Sequence, residues 1–230
     1  NLSVIPGTIG GAVVQNIGAY GCEVSEVIEW VEAYDPVKKL WRVLTRKDCA
    51  FQYRDSIFKH EGWNWVITKA QFRLHKHGTP SIAYKDVTTY FTERNIKTLT
   101  PKTVRDAVVA IRTEKFPLLD RCGTAGSFFK NPVVDRAFAE DFIKKYPGAS
   151  AHDVGGGMMK LSSAWIIDNI LHMKGVRRGA VGCWSEQALV IVNYGGATSA
   201  EIKNFSDDIQ KKCFAATGIT LLREVIFVDE

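Results

Sequence analysis

The sequence predicts an α+β protein. Three stretches early in the chain alternate apolar and polar residues and are rich in β-branched and aromatic side chains, which is typical of strands: "EVIEWVEAYD", "KLWRVLT" and "NWVITKAQFRL". A helical spacing of apolar residues follows in "PKTVRDAVVAIRTEK". Strands and helices are then mixed without a regular βαβ alternation, which favours α+β over a parallel α/β sheet.

The first half of the chain is divided by clear turn and helix signals. Asp35-Pro36 and Glu61-Gly62 separate the predicted strands. Thr100-Pro101 is a favourable start for the helix, and Phe116-Pro117 ends it. One helical face carries Val104, Ala107, Val108 and Ile111. The turn-rich passage "FPLLDRCGTAGS" that follows predicts a domain boundary after residue 116.

The second half mixes both element types. "GSFFKNPVVD" indicates a strand entering a turn, and a helix is predicted from about Asp135 to Tyr146. The spacing of Leu161, Trp165, Ile166 and Ile170 makes "MKLSSAWIIDNI" helical. A buried strand "EQALVIVNYG" precedes a helix capped by Ser199 and stopped by Gly218, and "ITLLREVIFVD" is a last strand. We expect domains at 1–116 and 117–218, with a terminal strand at 219–230.

Composition excludes several classes of protein. At 230 residues, 46% hydrophobic and 24% charged, the chain is long enough to bury a core. Its longest apolar runs are strand-sized, so we expect a soluble protein without a membrane span. The net charge of +5 comes from basic doublets mixed with acids, which argues against nucleic acid. Five scattered cysteines and unclustered histidines predict a reducing compartment and no metal site.

The opening segment "SVIPGTIGGAVVQNIGAYG" (residues 3–21) has five glycines and no charged residue. Such segments let backbone amides approach an anion closely, for example a pyrophosphate. Neither a Walker loop nor the dinucleotide-fold glycine fingerprint is present. Glycine richness alone also fits turns and close strand packing.

The order of residues in this segment resembles the flavin-binding loop of the UDP-N-acetylenolpyruvoylglucosamine reductase family. "YRDSIFK" (53–59), "IRTEKFP" (111–117), "AGSFFKNP" (125–132) and "EQALVIVN" resemble later motifs of that family in the same order, and a glutamate in the terminal strand completes the set. The resemblance spans nearly the whole chain. Tyr84 in "SIAYKDV", together with "YRDS", resembles the family type that has an extra substrate-capping loop.

The resemblance implies the fold and the cofactor. In this family FAD lies between two parts of a vanillyl-alcohol-oxidase/PCMH-like flavin domain, and a C-terminal α+β domain binds substrate. The family's first domain precedes the opening motif, so we expect this chain to be a fragment that binds flavin weakly or not at all by itself. The implied cofactor contacts are Ile5, Pro6, Gly7, Gly10, Gly11, Gln15, Asn16, Gly18, Ala19 and Tyr20.

The implied activity is NADPH-dependent reduction of UDP-N-acetylglucosamine enolpyruvate to UDP-N-acetylmuramate, a step of peptidoglycan precursor synthesis in the bacterial cytoplasm. We expect a monomer. Two other functions stay open at this point: a catalytically silent module that binds a uridine diphosphate sugar, and a different FAD-dependent oxidoreductase of the same cofactor fold. The second would lack the "GSFFKNP" and "YRDS" motifs.

The reaction needs a cation, a hydrogen-bond donor and a positioned proton source, because negative charge develops beside the substrate carboxylate. By resemblance, Arg54 would bind that carboxylate, Ser127 would protonate the carbon, and Glu224 would act with Arg54. Singly, each residue type is more often ordinary surface. The resemblance also implies substrate contacts at Tyr84, Lys115, Asn131 and Gln187, with Arg112 and Lys174 as weaker candidates.

Overall fold

A computed structural model describes residues 1–228. The chain divides into two compact units, Asn1–Arg112 and Thr113–Glu230. The elements of the first unit, together with the helix that runs into the second, are α1 (Ile9–Gln15), β1 (Gly18–Ala19), β2 (Cys22–Glu23), β3 (Ile28–Asp35), β4 (Leu40–Thr45), β5 (Val66–Phe72), α2 (Lys85–Glu93) and α3 (Pro101–Lys115).

The first unit is built on an antiparallel sheet of order β4-β3-β5, with β1 and β2 forming a separate short hairpin. The three predicted strands are confirmed. In β3 the buried positions Ile28, Val31 and Ala33 pack on one core cluster together with Val13 of α1. A second cluster joins Tyr20 to the apolar faces of α2 and α3.

The predicted helix from Pro101 to Lys115 is confirmed, and its buried side chains are the four that the sequence pattern indicates: Val104, Ala107, Val108 and Ile111. The pattern did not reveal helix α2, whose buried contacts come from Val87 and Phe91, one helical turn apart.

The second unit contains two antiparallel sheets, ordered β10-β11-β12-β6 and β7-β9-β8. Helix α6 covers a core that includes Phe129, Ile166, Ile167 and Ile209. The elements are β6 (Gly123–Ser127), β7 (Val133–Asp135), α4 (Arg136–Lys145), β8 (Ala151–Gly155), β9 (Met158–Leu161), α5 (Ser163–Trp165), β10 (Arg177–Arg178), β11 (Val181–Cys183), β12 (Val190–Asn193) and α6 (Ser199–Thr217).

Two local predictions were wrong, and the predicted helix at residues 159–170 is confirmed only from Ser163 onward. The opening loop contains α1, because the Thr8 side chain caps the helix by accepting a hydrogen bond from Gly11 N–H. Residues 158–161 form strand β9 instead of the start of a helix, because Gly155, Gly156 and Gly157 all have positive φ and turn the chain back onto β8. The helix of residues 163–165 continues as a single π turn over Ile166–Ile170.

The predicted cap of α6 is also corrected. Thr198, and not Ser199, is the N-cap, because Thr198 and Glu201 bond each other's backbone N–H in a capping box. The predicted C-terminal stop is confirmed, since Gly218 adopts the left-handed conformation with φ of 73°.

The predicted terminal strand at 219–230 is reduced to one bridge between Phe129 and Arg223. Within the described residues, pairing does not extend past this bridge. On one side the Phe128 N–H already donates to the carbonyl of Leu189 at 2.9 Å, and on the other side Pro132 has no N–H to donate. Residues 229 and 230 of the predicted strand lie outside the described residues.

Candidate functional site

Arg54 lies at the tip of a tight turn in the first unit. Gln52 and Asp55 exchange both backbone hydrogen bonds at 3.0 Å, and Arg54 between them has φ of +55°. This left-handed conformation costs a non-glycine residue about 1–2 kcal/mol, so other contacts must hold the turn. Lys59 supplies one of them, because its Nζ donates to the carbonyl of Arg54 at 2.9 Å and also to Gln15 Oε1.

The Arg54 guanidinium lies against the β1–β2 hairpin. Its Nη2 donates to the carbonyl of Gly18, and its Nη1 is 3.9 Å from Glu23 Oε1. The ring of Tyr53 lies 5.1 Å from the guanidinium carbon, within the range of a cation–π contact. Only 17% of the Arg54 side chain is exposed. The arginine is therefore held in a defined place.

Gly18 has no room for a side chain. A Cβ there would lie 2.7 Å from Arg54 Nη1 and 2.9 Å from Glu23 Cγ. The sequence assigned Gly18 to cofactor contact, whereas the structure adds a separate reason for glycine at this position.

Asn16 is buried and holds the hairpin together. Its Nδ2 donates to Glu23 Oε2 and to the carbonyl of Gln52, each at 2.9 Å, and its Oδ1 accepts from Ser25 N–H at 3.2 Å. One side chain thus ties the end of α1 to the hairpin and to the turn that carries Arg54. These bonds occupy both of its amide N–H groups, and its backbone N–H donates to the carbonyl of Val13 at 3.1 Å.

Two tyrosines proposed for different ligands meet in the structure. The rings of Tyr20 and Tyr84 are 5.4 Å apart at an angle of 83°. Burial raises the pKa of both phenols, and a hydrogen bond and the charge of Arg112 act against that rise at Tyr20. Tyr20 belongs to the core cluster with α2 and α3, whereas Tyr84 precedes α2 and is 45% exposed. Both hydroxyls therefore stay protonated at neutral pH.

The segment from Pro6 to Ile9 forms an exposed, uncharged surface at the start of α1. Gly7 has φ of +134°, which only glycine adopts without strain, and nothing lies within 4 Å of where its Cβ would be. The first N–H groups of a helix have no partner inside that helix. Uncharged backbone with exposed donors fits the pyrophosphate of a dinucleotide. Ile5, Gly10 and Ala19 are half-buried and Gly11 is exposed beside this surface.

Ser127 and Glu224 are brought together in the second unit. Ser127 ends β6 and pairs with Val190 of β12. The next residue, Phe128, accepts the backbone N–H of Glu224 at 2.9 Å, and Lys130 N–H donates to the carbonyl of Leu222 at 2.8 Å. Both candidate residues are half-buried. Two residues from opposite ends of the unit therefore lie on adjacent backbone segments.

Arg223 anchors the terminal segment to helix α6. Its Nε donates to Ser206 Oγ at 3.1 Å, and its guanidinium pairs with Asp207. The guanidinium carbon also lies 5.1 Å from the Phe227 ring. Since Arg223 precedes Glu224, these contacts fix the backbone from which the glutamate projects.

The remaining candidates of the second unit have structural partners. Asn131 Oδ1 accepts from the N–H of buried Ser163 at 3.0 Å and so helps to start α5. Gln187 Oε1 accepts from Leu189 N–H at 3.4 Å, and Lys174 pairs with Asp168 at 3.5 Å. Lys115 is half-buried at the end of α3.

Sequence reasoning did not select Glu23, Lys59 or Arg223. Lys59 lies inside the "YRDSIFK" motif, and a cation five residues from Arg54 was the available signal. Glu23 and Arg223 had no such signal, because their importance comes from contacts with distant parts of the chain. Within residues 1–228 no helix is long and apolar enough to cross a membrane, and no group of three or more His, Cys, Asp or Glu side chains could hold a metal ion.

The fold and these contacts define a mixed α/β protein with an oriented arginine in one unit and, in the other, a serine and a glutamate on adjacent backbone segments. Residues 117–228 match the family model described as UDP-N-acetylenolpyruvoylglucosamine reductase, C-terminal domain. The UDP-N-acetylenolpyruvoylglucosamine reductase of Amoebophilus asiaticus (strain 5a2) is 42% identical over 230 residues, covering 100% of this chain and 68% of that protein.

The protein of the same name from Azoarcus sp. (strain BH72) is 41% identical over 228 residues, covering 99% of this chain and 65% of that protein. A crystal structure of UDP-N-acetylenolpyruvylglucosamine reductase from Thermus caldophilus shares the fold with a TM-score of 0.63 at 21% identity, covering 98% of this chain and 62% of that one. The chain belongs to the UDP-N-acetylenolpyruvoylglucosamine reductase family, and it spans about two thirds of the length of these curated relatives.

Proposed function

We propose that this chain is the substrate-reducing part of a bacterial, cytoplasmic flavoenzyme that converts UDP-N-acetylglucosamine enolpyruvate to UDP-N-acetylmuramate with FAD and NADPH, in peptidoglycan precursor synthesis. Family membership supports the reaction class. The observation that carries the proposal is the backbone bond between Glu224 and Phe128, because it places the Glu224 backbone beside the segment that carries Ser127, the candidate proton donor.

Bound FAD would carry a hydride from NADPH to the substrate's terminal methylene carbon. The chain offers the exposed, uncharged surface from Pro6 to Ile9 and the flanking glycines to hold the cofactor's pyrophosphate. Gln15 and Asn16, engaged with Lys59 and Glu23, would stiffen this wall.

Arg54 would bind the substrate carboxylate. A guanidinium presents a planar set of donors that matches two carboxylate oxygens, and it keeps its charge at any working pH. Because its guanidinium is already held against the β1–β2 hairpin, little side-chain entropy remains to be lost on binding. Charge that develops beside the carboxylate in the transition state would thereby be stabilised.

Ser127 would protonate the substrate carbon that bears the carboxylate. This carbon is next to the methylene carbon that accepts the hydride. A hydroxyl is a weak acid in water, but an enolate carbon is a stronger base than the alkoxide that forms, and nearby Lys130 adds positive charge. Glu224 would bind the intermediate with Arg54. Lys115, Asn131, Gln187 and Tyr84 would contact the sugar nucleotide, Lys115 by its charge and Tyr84 by covering an apolar face.

The test uses the full-length protein with Ser127→Ala, and Ser150→Ala at an exposed loop position as control. Anaerobic stopped-flow absorbance follows flavin bleaching by NADPH and then reoxidation by UDP-N-acetylglucosamine enolpyruvate. We expect Ser127→Ala to slow the second phase by at least 10²–10⁴-fold, the usual contribution of general acid catalysis, while the first phase proceeds near the wild-type rate. Ser150→Ala should match the wild type in both the reduction and the reoxidation phase.

Other results would overturn the proposal. Equal slowing of both phases would assign Ser127 to folding or cofactor placement. No slowing would place the proton donor elsewhere. A protein that binds the sugar nucleotide but shows neither phase would be the silent binding module.

A further inference from the structure

Contacts from other parts of the first unit hold both the backbone and the guanidinium of Arg54. Two parts of the first unit contact it, the hairpin residues Gly18 and Glu23 and the residue Lys59. Buried Asn16 does not touch Arg54 in these contacts but holds Glu23 from behind. Each contact restricts a different part of the residue. Lys59 holds its carbonyl, and the hairpin holds its guanidinium.

Gly18 contributes by leaving space for the Arg54 guanidinium. Its carbonyl accepts from Arg54 Nη2, and a Cβ at Gly18 would overlap Nη1 at 2.7 Å. Gly18 lies in strand β1 without a positive φ, so the backbone itself would accept alanine. The space for a Cβ is taken up first by the guanidinium, and then by Glu23 Cγ at 2.9 Å and the Cys22 carbonyl oxygen at 3.2 Å.

Glu23 holds the Arg54 guanidinium through its negative charge and through the direction in which its carboxylate points. One carboxylate oxygen faces Arg54 Nη1 at 3.9 Å, while the other accepts from Asn16 Nδ2 at 2.9 Å. Asn16 is 1% exposed, so it holds Glu23 from the protein interior. Fixing the plane of a guanidinium in this way fixes the directions of all five of its N–H donors.

We propose that Gly18 and Glu23 are positioning residues for Arg54: the β1–β2 hairpin sets the plane of the guanidinium that binds the substrate carboxylate. The strained backbone of Arg54 fits this role, since strain is retained where the surroundings over-determine a functional geometry. The inference rests on the carboxylate-binding role given to Arg54 under the proposed function.

The test is a double-mutant cycle in the full-length protein with Gly18→Ala, Arg54→Ala and both changes together. The readout is the rate of flavin reoxidation by UDP-N-acetylglucosamine enolpyruvate. A displacement of about 1 Å can cost on the order of 10²-fold in rate, and we expect a loss of that order for Gly18→Ala alone. In the Arg54→Ala background the same change should have little further effect, because the group that it displaces is gone.

A second measurement isolates the carboxylate and covers the case in which Gly18→Ala does not fold. Calorimetry compares binding of UDP-N-acetylglucosamine enolpyruvate with binding of UDP-N-acetylglucosamine, which lacks the enolpyruvyl group. Glu23→Gln should weaken the first about fivefold, the upper end of the range for ion pairs in contact with solvent, without weakening the second. The matched control is Glu29→Gln, which breaks a comparable pair with Arg73 at 2.7 Å on the neighbouring sheet and should change neither.

The outcomes separate the two proposals. If Arg54→Ala leaves reoxidation unchanged, the proposed role of Arg54 is wrong and the positioning role falls with it. If Arg54→Ala is severe but Gly18→Ala costs equally in both backgrounds, or Glu23→Gln weakens both sugar nucleotides alike, only the positioning role is overturned.

Discussion

Glu224 donates its backbone N–H to the carbonyl of Phe128 at 2.9 Å, so the glutamate lies on the segment next to the one that carries Ser127. This contact joins the end of the described chain to the end of strand β6. It needs no long strand, since the single bridge between Phe129 and Arg223 suffices when Arg223 is also tied to helix α6.

The first prediction concerns the contacts of Arg223 with helix α6. Arg223→Ala should lower the free energy of unfolding by about 1–2 kcal/mol, because it removes hydrogen bonds from a charged group to Ser206 and Asp207. It should also slow reoxidation by the enolpyruvyl sugar nucleotide, since the Glu224 backbone loses its anchor. Urea unfolding and stopped-flow absorbance measure the two effects.

The control for this prediction is Arg178→Ala. Arg178 also pairs with an aspartate of α6, Asp208, at 2.8 Å, but it is 51% exposed and lies away from the terminal segment. Arg178→Ala should lower the free energy of unfolding by less than about 1 kcal/mol and leave the rate of flavin reoxidation unchanged. Equal kinetic losses in both variants would contradict the anchoring role of Arg223.

The second prediction concerns Lys115. Lys115→Ala in the full-length protein should raise KM for the sugar nucleotide and leave kcat unchanged, because a charge contact with a diphosphate is the same in the ground state and the transition state. Steady-state kinetics with saturating NADPH test this. A lower kcat at unchanged KM would show that Lys115 acts on the chemical step instead.

The third prediction is a pH dependence of stability. Burial raises the pKa of the Cys183 thiol to about 12 and that of Cys49 to about 11. A folded pKa above the unfolded value of about 8.5 means that the neutral thiol is favoured in the fold. The contribution to stability is complete below pH 8.5 and is lost as the pH rises through the folded pKa.

The free energy of unfolding should therefore fall between about pH 8.5 and 12, with a shallower fall in Cys183→Ala than in the wild type. Cys122→Ala, at a half-exposed cysteine, is the control and should keep the wild-type slope. Denaturant titrations across this range measure it. A Cys183→Ala slope as steep as that of the wild type would contradict the assignment.

The fourth prediction concerns Gly182 in β11. A Cβ there would lie 2.6 Å from the carbonyl oxygen of Val176 and 2.9 Å from the Cα of Arg177, and backbone atoms cannot move aside as a side-chain end can. Gly182→Ala should destabilise the protein by about 1–3 kcal/mol, the usual cost of overpacking. Gly123→Ala, whose Cβ would meet only Asn193 Cβ at 3.6 Å, should stay within about 1 kcal/mol of the wild type. Similar unfolding midpoints for the two variants would show that β10 and β11 can separate at no cost.

The sequence by itself determined the features whose signals are local. Helix α3 lies where its apolar spacing and flanking prolines predict it, and α6 ends at Gly218 because a left-handed cap needs glycine. The strands β3, β4 and β5 follow from alternation within each segment. The motifs also indicated the family, because each motif is a pattern within a few consecutive residues.

The tertiary structure alone decided the features that depend on distant partners. The apolar residues Met158, Met159 and Leu161 fit a helix or a strand, and pairing with β8 and β7 selects the strand. The terminal segment has a strand-like pattern, but the bond of Phe128 N–H to Leu189 and the missing N–H of Pro132 limit its pairing to one bridge. From the sequence, Gly18 is expected only as a cofactor contact, and only the fold shows that Arg54, from elsewhere in the sequence, occupies the space that a side chain at Gly18 would fill. Such contacts form between segments that the chain brings together only on folding, so no local pattern encodes them.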